Sequence, residues 1–339
     1  MKKDIVLVTG ATGFVGSYII RYLVQMGYQV KALKRKNSPM QLVESVIDKV
    51  DWLEGDILDL PFLESSLEQV DMVIHAAAMI SFHPKEVDAM MKVNAEGTAN
   101  IVNAALHVGL KKFVHLSSIA ALGRKEFQKN IDESVNWENS KLNSNYAISK
   151  FKAECEVWRG IQEGLDAVII NPSVIIGAGF WNSGSCKLFS KMWEGLAFYP
   201  QGATGFVDVR DVAQVSIALM ESTIKAERFI VNGANLSYRS FFHQIAVAMD
   251  KNPPSKQANP IVLAVLYRID WLLMKLFNKS PLLTKETIRT TKEQFEYSHQ
   301  KIVEAIDYQF IPFEESVEET VREFVKNQSE GQSFGFLNV

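Results

Sequence analysis

The chain has 339 residues, of which 47% are hydrophobic and 22% are charged, and its formal net charge is −3 at pH 7. This composition is ordinary for a globular protein with a large core, and the charge gives no sign of a nucleic-acid binder. The only two cysteines, Cys155 and Cys186, lack a metal-type spacing and make a disulfide framework implausible, which indicates a reducing, cytoplasmic compartment.

Short apolar runs alternate with helical patterns through the first two-thirds of the chain. The predicted strands cover residues 5–8, 28–33, 50–54, 72–75, 113–116, 167–171 and 228–231. The predicted helices cover residues 16–26, 61–67, 87–108, 146–163 and 209–221. Because strands that alternate with helices form βαβ units around a buried sheet, we predict an α/β fold with a doubly wound parallel sheet.

A glycine-rich turn joins the first predicted strand to the first predicted helix. Gly10, Gly13 and Gly16 follow one another at three-residue spacing, one residue longer than the Rossmann Gly-x-Gly-x-x-Gly pattern. Such glycines allow a sharp turn, leave room for a pyrophosphate and let the helix pack closely on the strand. The helix N-terminus then offers free N–H groups to phosphate. The pattern predicts a dinucleotide site, and an ordinary strand–helix turn is the alternative.

The end of the second predicted strand bears on which dinucleotide binds. Folds that prefer NAD usually carry Asp or Glu there, which accepts a hydrogen bond from the ribose 2′-hydroxyl. Residues 31–36 instead hold four basic side chains and no acid. Since Arg offers a bidentate fork to a 2′-phosphate, we predict NADP(H), with Arg35 as the main contact and Lys34 or Lys36 in support. A solvated basic turn is the alternative.

A tyrosine and a lysine lie four residues apart at the start of the predicted helix over 146–163. At this spacing Tyr146 and Lys150 share one helix face, and an ammonium beside a phenol makes the phenol a usable proton donor near neutral pH. Ser117 and Ser118 directly follow the fifth predicted strand, at the sheet edge where α/β ligands bind. A serine hydroxyl in that place can donate a hydrogen bond to a substrate carbonyl.

Beyond residue 174 the pattern loosens into glycine-rich loops and then into helices broken by prolines. We assign residues 1–174 and 206–233 to a dinucleotide-binding Rossmann domain and residues 175–205 and 234–326 to a smaller, mainly helical substrate lobe. Residues 327–339 are expected to form a mobile tail.

Segment 260–277 is apolar but carries charges and is slightly short for a membrane span. We expect an amphipathic helix that packs on the core, and a helix on a membrane surface is the alternative.

Residues 179–199 are rich in aromatic and apolar side chains, namely Phe180, Trp181, Leu188, Phe189, Met192, Trp193, Phe198 and Tyr199. Together with Ile80, Phe82 and residues 263–277 they form either an apolar pocket for a hydrophobic carbonyl substrate or simply the core of the lobe. The six histidines show no ligand-like grouping, so we expect no metal site.

Taken together, these motifs resemble an extended short-chain dehydrogenase/reductase of the NAD-dependent epimerase/dehydratase superfamily. The resemblance rests on residues 9–16, 55–56, 75–78, 94–98, 117–118, 146–150, 171–173 and 206–213. Within that superfamily the chain is most similar to the dihydroflavonol 4-reductase-like and 3β-hydroxysteroid dehydrogenase-like branch.

The resemblance implies a role for each matching residue. Tyr146 would be the general acid in reduction, Lys150 would hold the nicotinamide ribose and lower the pKa of Tyr146, and Ser118, the second serine of its pair, would polarise the carbonyl. Asp56, which otherwise caps a turn, and Ile57 would lie by the adenine, and Asn94 is a structural or relay residue. The full set of expected cofactor contacts is Gly10, Thr12, Gly13, Phe14, Val15, Arg35, Asp56, Ile57, Ala76, Ala77, Ala78, Tyr146, Lys150, Asn171 and Ser173.

Three departures from the family pattern limit what can be carried over. Asn171 stands where the family often has Arg, and Ile176 stands where it often has an aromatic residue. Both lie near the expected nicotinamide and substrate site, so the mode of substrate binding in sugar-nucleotide enzymes cannot be carried over to this chain. No Asp-Glu pair follows Ser118, although a 4,6-dehydratase would be expected to carry one.

The predicted function is therefore an NADP(H)-dependent oxidoreductase that reduces a ketone or aldehyde of a hydrophobic small molecule. The alternatives are an NAD-dependent sugar-nucleotide epimerase, a hydroxysteroid-type dehydrogenase and a dinucleotide-sensing regulator. We expect no nucleic-acid partner and no membrane partner. A homodimer through the helices over 87–108 and 146–163 is implied by the resemblance alone.

Overall fold

The computed structural model describes residues 4–123, 129–259, 268 and 293–339. Its strands are β1 Ile5–Thr9, β2 Gln29–Lys34, β3 Val50–Glu54, β4 Met72–His75, β5 Lys112–Leu116, β6 Asn130–Ile131, β7 Ala167–Pro172, β8 Val174–Ile176, β9 Phe198–Tyr199, β10 Ala203–Asp208, β11 Glu227–Val231, β12 Ala234–Ser237, β13 Lys256–Gln257 and β14 Glu296–Tyr297. Its helices are α1 Phe14–Gln25, α2 Leu60–Leu67, α3 Val87–Met91, α4 Gly97–Val108, α5 Asn145–Gln162, α6 Lys187–Trp193, α7 Val209–Glu221, α8 Tyr238–Ala248, α9 Gln300–Ile306 and α10 Phe313–Ser329.

The predicted strands form one parallel sheet in the spatial order β11-β7-β5-β4-β1-β2-β3. In β1, Val6 and Val8 pack into a cluster with residues of α1 and α7, whereas Ile5 and Leu7 pack on the other face with residues of α2, α4 and α5. Helices on both faces bury both sides of the strand, which explains its continuous apolar run. The prediction of an α/β, doubly wound parallel sheet is confirmed.

The order of the strands reverses beside β1. This strand pairs with β2 on one side and with β4 on the other, so the chain builds β2 and β3 outward and then crosses back. Ligands of α/β proteins bind at the carboxyl ends of the strands where such a reversal leaves a crevice. The site is therefore expected just beyond Thr9, His75 and Leu116, the last residues of β1, β4 and β5.

The smaller lobe is built from segments far apart in the chain. A three-stranded sheet in the order β12-β10-β8 shares a hydrophobic core with α6, α8 and α10. Phe206 stacks on Phe241 with ring centroids 4.3 Å apart, and Trp181 meets Phe324 edge-on at 5.0 Å. Strand β10, part of which we assigned with residues 206–233 to the dinucleotide-binding domain, pairs with β8 and β12, whereas β11 pairs with β7 of the central sheet. The domain boundaries themselves stay a prediction.

The last residues pack against the body of the protein, in contrast to the mobile tail that we expected over 327–339. The backbone N–H of Gly335 donates to the carbonyl of Gly179 at 3.0 Å, and that of Leu337 donates to Tyr18 Oη at 2.9 Å. Leu337 is only 5% exposed. Backbone hydrogen bonds and single apolar anchors hold this segment, and neither leaves a periodic pattern in the sequence.

Segment 260–277 lies outside the described residues, apart from Arg268, so both interpretations of it stay predictions. Described residues before and after this segment contact the lobe. Strand β13 pairs with β9, and the backbone N–H of Ala203 donates to Glu293 O at 3.0 Å. Within the described ranges, no helix is both long and apolar enough to cross a membrane.

Candidate active site

The glycine-rich turn lies directly against the loop that follows β4. Gly10 has a φ of +67°, and a Cβ at this position would lie 2.7 Å from backbone atoms of Ala76 and Ala77. A Cβ on Gly16 would lie 2.2 Å from the carbonyl oxygen of Gly10. Side chains are excluded at both positions, so the turn and the loop after β4 approach closely enough to share one crevice.

The N-terminus of α1 is open to an anion. Gly13 is its N-cap residue and supplies no side-chain cap, and the first turn contains no acidic residue. Unpaired N–H groups and the positive end of the helix dipole are therefore available to a pyrophosphate. Thr12 on the same turn is buried, and Phe14 and Val15 are half-buried. The chain thus offers the cradle that a dinucleotide needs.

His75 fixes the loop after β4 through a directional chain of hydrogen bonds. Thr98 Oγ1 donates to Asn94 O at 2.6 Å, so it accepts from His75 Nε2 at 3.0 Å. His75 Nδ1 then accepts from Thr9 Oγ1 at 2.7 Å, and that oxygen accepts from the backbone N–H of Ala77 at 3.2 Å. Burial lowers the pKa of His75 to about 3, so the ring is a neutral spacer. The predicted ribose contacts Ala76, Ala77 and Ala78 lie on this loop.

Asn94 connects the same loop to helix α5. It lies in a π-helical turn, Lys92–Glu96, between α3 and α4. Its amide accepts from Met79 N at 2.7 Å and donates to Met79 O and Ser149 Oγ, both at 2.9 Å. Ser149 Oγ in turn donates to the carbonyl of Tyr146 at 2.8 Å. These bonds occupy the whole amide and support a structural role for Asn94.

The structure brings together the three residues expected to perform the chemistry. Ser118 follows β5, while Tyr146 and Lys150 lie on α5, whose N-terminus is capped by Ser144. Burial raises the pKa of the half-buried Tyr146, and a hydrogen bond with the Ser118 hydroxyl lowers it. Ser118 is thus a hydrogen-bond partner of the phenol, and the lowering of this pKa by Lys150 that the resemblance implies stays a prediction.

Lys150 is 2% exposed and donates to the carbonyl of Leu116 at 2.8 Å. Burial lowers the pKa of its ammonium to about 8, and the negative charge of Glu154 opposes that shift. The lysine therefore remains mainly protonated at pH 7, with one of its three N–H donors occupied by the main chain.

The two serines after β5 have different surroundings. Ser117 is buried, and its hydroxyl donates to Glu154 Oε2 at 2.8 Å. Ser118 is half-buried and lies within hydrogen-bonding distance of the Tyr146 phenol. Ser118 thus lies beside the Tyr146 phenol, whereas the Ser117 hydroxyl is bonded to Glu154, and the choice of Ser118 as the catalytic serine stays a prediction.

Two expected cofactor contacts are buried in the protein. Asn171 is fully buried, and its amide donates to Ser118 O at 3.0 Å and to Glu154 Oε2 at 2.9 Å. Ser173 is 5% exposed, and its hydroxyl has no hydrogen-bond partner in the described part of the chain. The side chain of Asn171 thus braces the loop that carries Ser118. Sequence reasoning missed Glu154, which the four-residue spacing from Tyr146 to Lys150 to Glu154 could have indicated.

The basic turn contains a neighbouring acid that sequence reasoning also missed. Lys34 pairs in register with Glu54 of β3, and Lys34 Nζ lies 2.8 Å from Glu54 Oε2. The adjacent Lys34 ammonium lowers the pKa of Glu54. Arg35 and Lys36 are exposed and have no ion pair among the described residues. Arg35 and Lys36, rather than Lys34, are left free for a phosphate.

The residues expected beside the adenine close a turn after β3. Asp56 Oδ1 accepts from the backbone N–H of Leu58 at 2.9 Å, which is the capping alternative for this residue. Ile57 is buried, and a Cβ on Gly97 would lie 2.8 Å from its side chain. Asp56 is exposed, so its second oxygen remains accessible at the surface.

The loop after β4 carries two exposed apolar side chains, one of which lies near Tyr146. Ile80 is 62% exposed and Phe82 is 37% exposed, and the Phe82 ring lies 6.4 Å from the Tyr146 ring. Trp181, Phe189 and Met192 are instead buried in the lobe core. For these three residues the core interpretation is the one that agrees with the structure. In the described ranges, no group of His, Cys, Asp and Glu could hold a metal ion.

Comparisons with known proteins show the family of the chain. The model of the NAD dependent epimerase/dehydratase family matches residues 6–232. A Synechocystis sp. protein provisionally named dihydroflavonol 4-reductase is 28% identical over 312 residues, which cover 89% of each chain. Cinnamoyl-CoA reductase 1 of Petunia hybrida is 25% identical over 340 residues, which cover 95% of this chain and 92% of the plant protein.

Solved structures show the same architecture. The crystal structure of gox2253 matches with a TM-score of 0.82 at 28% identity and covers 96% of this chain and 99% of its own. UDP-glucose 4-epimerase from Thermotoga maritima matches with a TM-score of 0.78 at 20% identity, over 96% and 99% of the two chains. At this lower identity the epimerase shares the fold alone.

Proposed function

The chain belongs to the NAD dependent epimerase/dehydratase family, and from this premise we propose that it is an NADP(H)-dependent reductase of a carbonyl group on a hydrophobic small molecule. The observation that carries the proposal is the meeting of Ser118, Tyr146 and Lys150 beyond β5. The names of the two relatives assign reductase activity to those proteins, which supports the reductive direction.

Tyr146 is the proton donor of the proposed reaction. A bound nicotinamide dinucleotide supplies the hydride to the carbonyl carbon. The Tyr146 phenol gives its proton to the carbonyl oxygen, which becomes the alcohol oxygen of the product. Ser118, hydrogen-bonded to the phenol, is placed to donate to the same oxygen and to stabilise the charge that develops on it.

Lys150 supports the phenolate that proton transfer leaves behind. Its pKa of about 8 keeps the ammonium mainly charged at pH 7, and a positive charge near Tyr146 favours the ionised phenol. The bond to Leu116 O uses one of its three N–H groups, and the other two, which have no partner within the described ranges, can donate to ribose hydroxyls.

The preference for NADP(H) is proposed for the turn after β2. A 2′-phosphate needs cationic side chains that are not already neutralised, and Arg35 and Lys36 meet this condition among the described residues. Lys34 serves instead to neutralise Glu54, whose carboxylate would otherwise repel the phosphate. Arg35 supplies the bidentate fork, as the sequence predicts.

The substrate class is proposed from the mouth of the site. Phe82 exposes apolar surface beside Tyr146, and Ile80 on the same loop is exposed, which suits a hydrophobic ketone or aldehyde. A sugar nucleotide carries two phosphates and would require cations at this place, and the loop over 76–82 contains none.

The variant Tyr146→Phe tests the proposal because it removes the proton donor and keeps the ring. We expect kcat for aldehyde and ketone reduction to fall by about 10²- to 10⁴-fold. The Kd values for NADPH and NADH, measured by nicotinamide fluorescence, should stay within twofold of the wild-type values, with NADPH binding more tightly in both proteins. Tyr28→Phe is the control, because it removes a phenol bonded to Glu221 just before β2, at the edge of the sheet opposite the site.

Full activity of Tyr146→Phe would refute the assignment of the proton donor. Equal or tighter binding of NADH would refute the proposal that the basic turn after β2 binds the 2′-phosphate of NADP(H). The epimerase alternative predicts a purified protein that retains stoichiometric NAD and releases it only on denaturation, because an epimerase recycles its cofactor. Denaturation followed by chromatography of the released nucleotide separates the two functions.

A further inference from the structure

Helix α5 carries a buried carboxylate four residues after Lys150 that the proposed reaction does not use. The side chain of Glu154 is 3% exposed. A charged carboxylate is costly to bury unless hydrogen bonds and opposite charges compensate it. Glu154 lies one turn after Lys150 on the helix face that also carries Tyr146, so its buried charge can act on these two residues.

The hydrogen bonds of Glu154 converge on the loop that carries Ser118. Glu154 Oε2 accepts from Ser117 Oγ at 2.8 Å and from Asn171 Nδ2 at 2.9 Å. Asn171 also donates to Ser118 O at 3.0 Å, and Lys150 donates to Leu116 O at 2.8 Å. The main chain from 116 to 118 is thus held on one side by Lys150 and on the other by partners of Glu154.

The other oxygen of the Glu154 carboxylate faces the guanidinium of Arg228. Glu154 Oε1 accepts from Arg228 Nη1 at 3.2 Å and from Trp158 Nε1 at 3.4 Å. Arg228 lies on β11, and its guanidinium also donates to the carbonyls of Glu133 and Val135. One buried carboxylate therefore forms an ion pair with Arg228 on the edge strand and lies one helical turn from Lys150 on its own helix.

The remaining titratable groups around Lys150 do not supply negative charge. His115 on β5 and His75 on β4 are fully buried, and burial holds the pKa of each ring well below its ordinary value, so both are neutral. Tyr146 is a phenol at neutral pH. In the described part of the chain, Glu154 is the carboxylate that raises the pKa of Lys150 against the effect of burial.

We propose that Glu154 is a positioning residue that keeps Lys150 charged and holds the Ser118 loop in place, while Arg228 draws on the same carboxylate and limits that effect. The inference deepens the proposed function, because it rests on the role given there to Lys150. It predicts opposite changes in the pKa of Lys150 for two variants. Removing the charge of Glu154 should lower this pKa, and removing the charge of Arg228 should raise it.

The test measures the pKa of Lys150 directly in the protein without ligand. The carbon-13 chemical shift of its Cε is followed against pH in protein labelled at lysine, and the resonance is assigned by its loss in Lys150→Met. We expect Glu154→Gln, which keeps the size and one of the two acceptor oxygens, to lower the pKa of Lys150 by about 1. We expect Arg228→Gln to raise it, by less, because Arg228 acts through Glu154.

Matched variants separate charge from structure. Glu156→Gln removes a carboxylate from the same helix that pairs with Arg159, and it should leave the pKa of Lys150 unchanged. Arg228→Lys keeps the charge and should behave as wild type. If Glu154→Gln does not fold, Arg228→Gln still gives the sign of the effect.

Shifts in the same direction for Glu154→Gln and Arg228→Gln, or no shift in either, would overturn the inference. In the active protein, the pH at which kcat/KM falls on the alkaline side should move down in Glu154→Gln and up in Arg228→Gln, and the reverse order would contradict it. Failure of the proposed reaction itself is seen separately, as full activity of Tyr146→Phe, and does not affect the titration of Lys150.

Discussion

The catalytic end of the central sheet and the substrate lobe are held together by different forces. At the catalytic end, buried polar side chains hydrogen-bond one another, and α5 alone contributes Tyr146, Lys150 and Glu154. In the lobe, aromatic rings from distant segments pack together, as Trp181 does on Phe324. The catalytic end is organised for chemistry at some cost in stability, and the lobe is organised for stability.

The largest expected effect is that of Lys150→Met, which exchanges a buried ammonium for an apolar side chain of similar length. We expect kcat to fall by about 10³-fold or more, because the phenolate of Tyr146 loses its nearby cation. The free energy of unfolding at pH 7 should rise by roughly 3 kcal/mol, because a folded pKa of about 8 against an ordinary 10.5 means that burial disfavours the charged form.

The pH dependence of that gain has a definite sign. Between pH 8 and 10.5 the unfolded wild-type chain binds more protons at Lys150 than the folded one, so its stability rises with pH. Lys150→Met lacks this group, so the stability difference between the two proteins is full below pH 8 and closes by about pH 10.5. Urea unfolding at a series of pH values measures it. A loss of stability in Lys150→Met at pH 7 would contradict the comparison.

In the lobe we expect the reverse pattern from Trp181→Ala. Trp181 is 3% exposed, contacts Phe189 and Phe324, and donates to Asn327 Oδ1 at 2.9 Å. Its removal leaves a cavity and should cost about 3–5 kcal/mol in the free energy of unfolding. The kcat of the folded fraction should stay within about threefold of wild type, because none of these contacts touches Tyr146.

Trp193→Ala is the matched control for this variant. Trp193 also meets the ring of Phe324, at 5.8 Å, but it is half-buried, so its loss should cost less than the loss of Trp181. Unfolding in urea gives both costs. A large loss of kcat in Trp181→Ala at a temperature where it is fully folded would show that the lobe core shapes the site directly.

The same contrast explains how much the sequence could predict. The strands and the glycine turn follow local patterns, and Ser118, Tyr146 and Lys150 lie at fixed places within them, so the fold class and the meeting of these residues could be expected from spacing. The orientation of Asn171 could not, because it depends on Glu154, a residue on another element whose carboxylate draws the amide inward.

Long-range packing accounts for the other misses. Trp181 is buried because α10, which begins more than a hundred residues later, brings Phe324 against it. Glu54 lies beside Lys34 because β2 and β3 pair in parallel register, which the sequence of the basic turn alone does not reveal. The tail is held by backbone groups of Gly335 and Leu337, and backbone hydrogen bonds carry no residue signature.

The smallest expected effect lies at the boundary between the two regions, where Phe82 faces Tyr146. We expect Phe82→Ala to raise KM for a hydrophobic aldehyde by about tenfold, because roughly 1–2 kcal/mol of apolar contact is lost equally from the bound substrate and the transition state. The kcat should hardly change, since the ring lies 6.4 Å from that of Tyr146 and forms no part of the proton donor.

Steady-state kinetics with aldehydes of increasing chain length measures this effect, and the increase in KM should grow with the apolar length of the substrate. Val325→Ala, at 38% exposure against 37% for Phe82, is a matched exposed apolar control on α10 and should leave KM unchanged. If kcat falls instead and KM does not move, Phe82 supports the Tyr146 ring rather than the substrate. The loop after β4 would then belong entirely to the catalytic end, and substrate recognition would have to come from other parts of the chain.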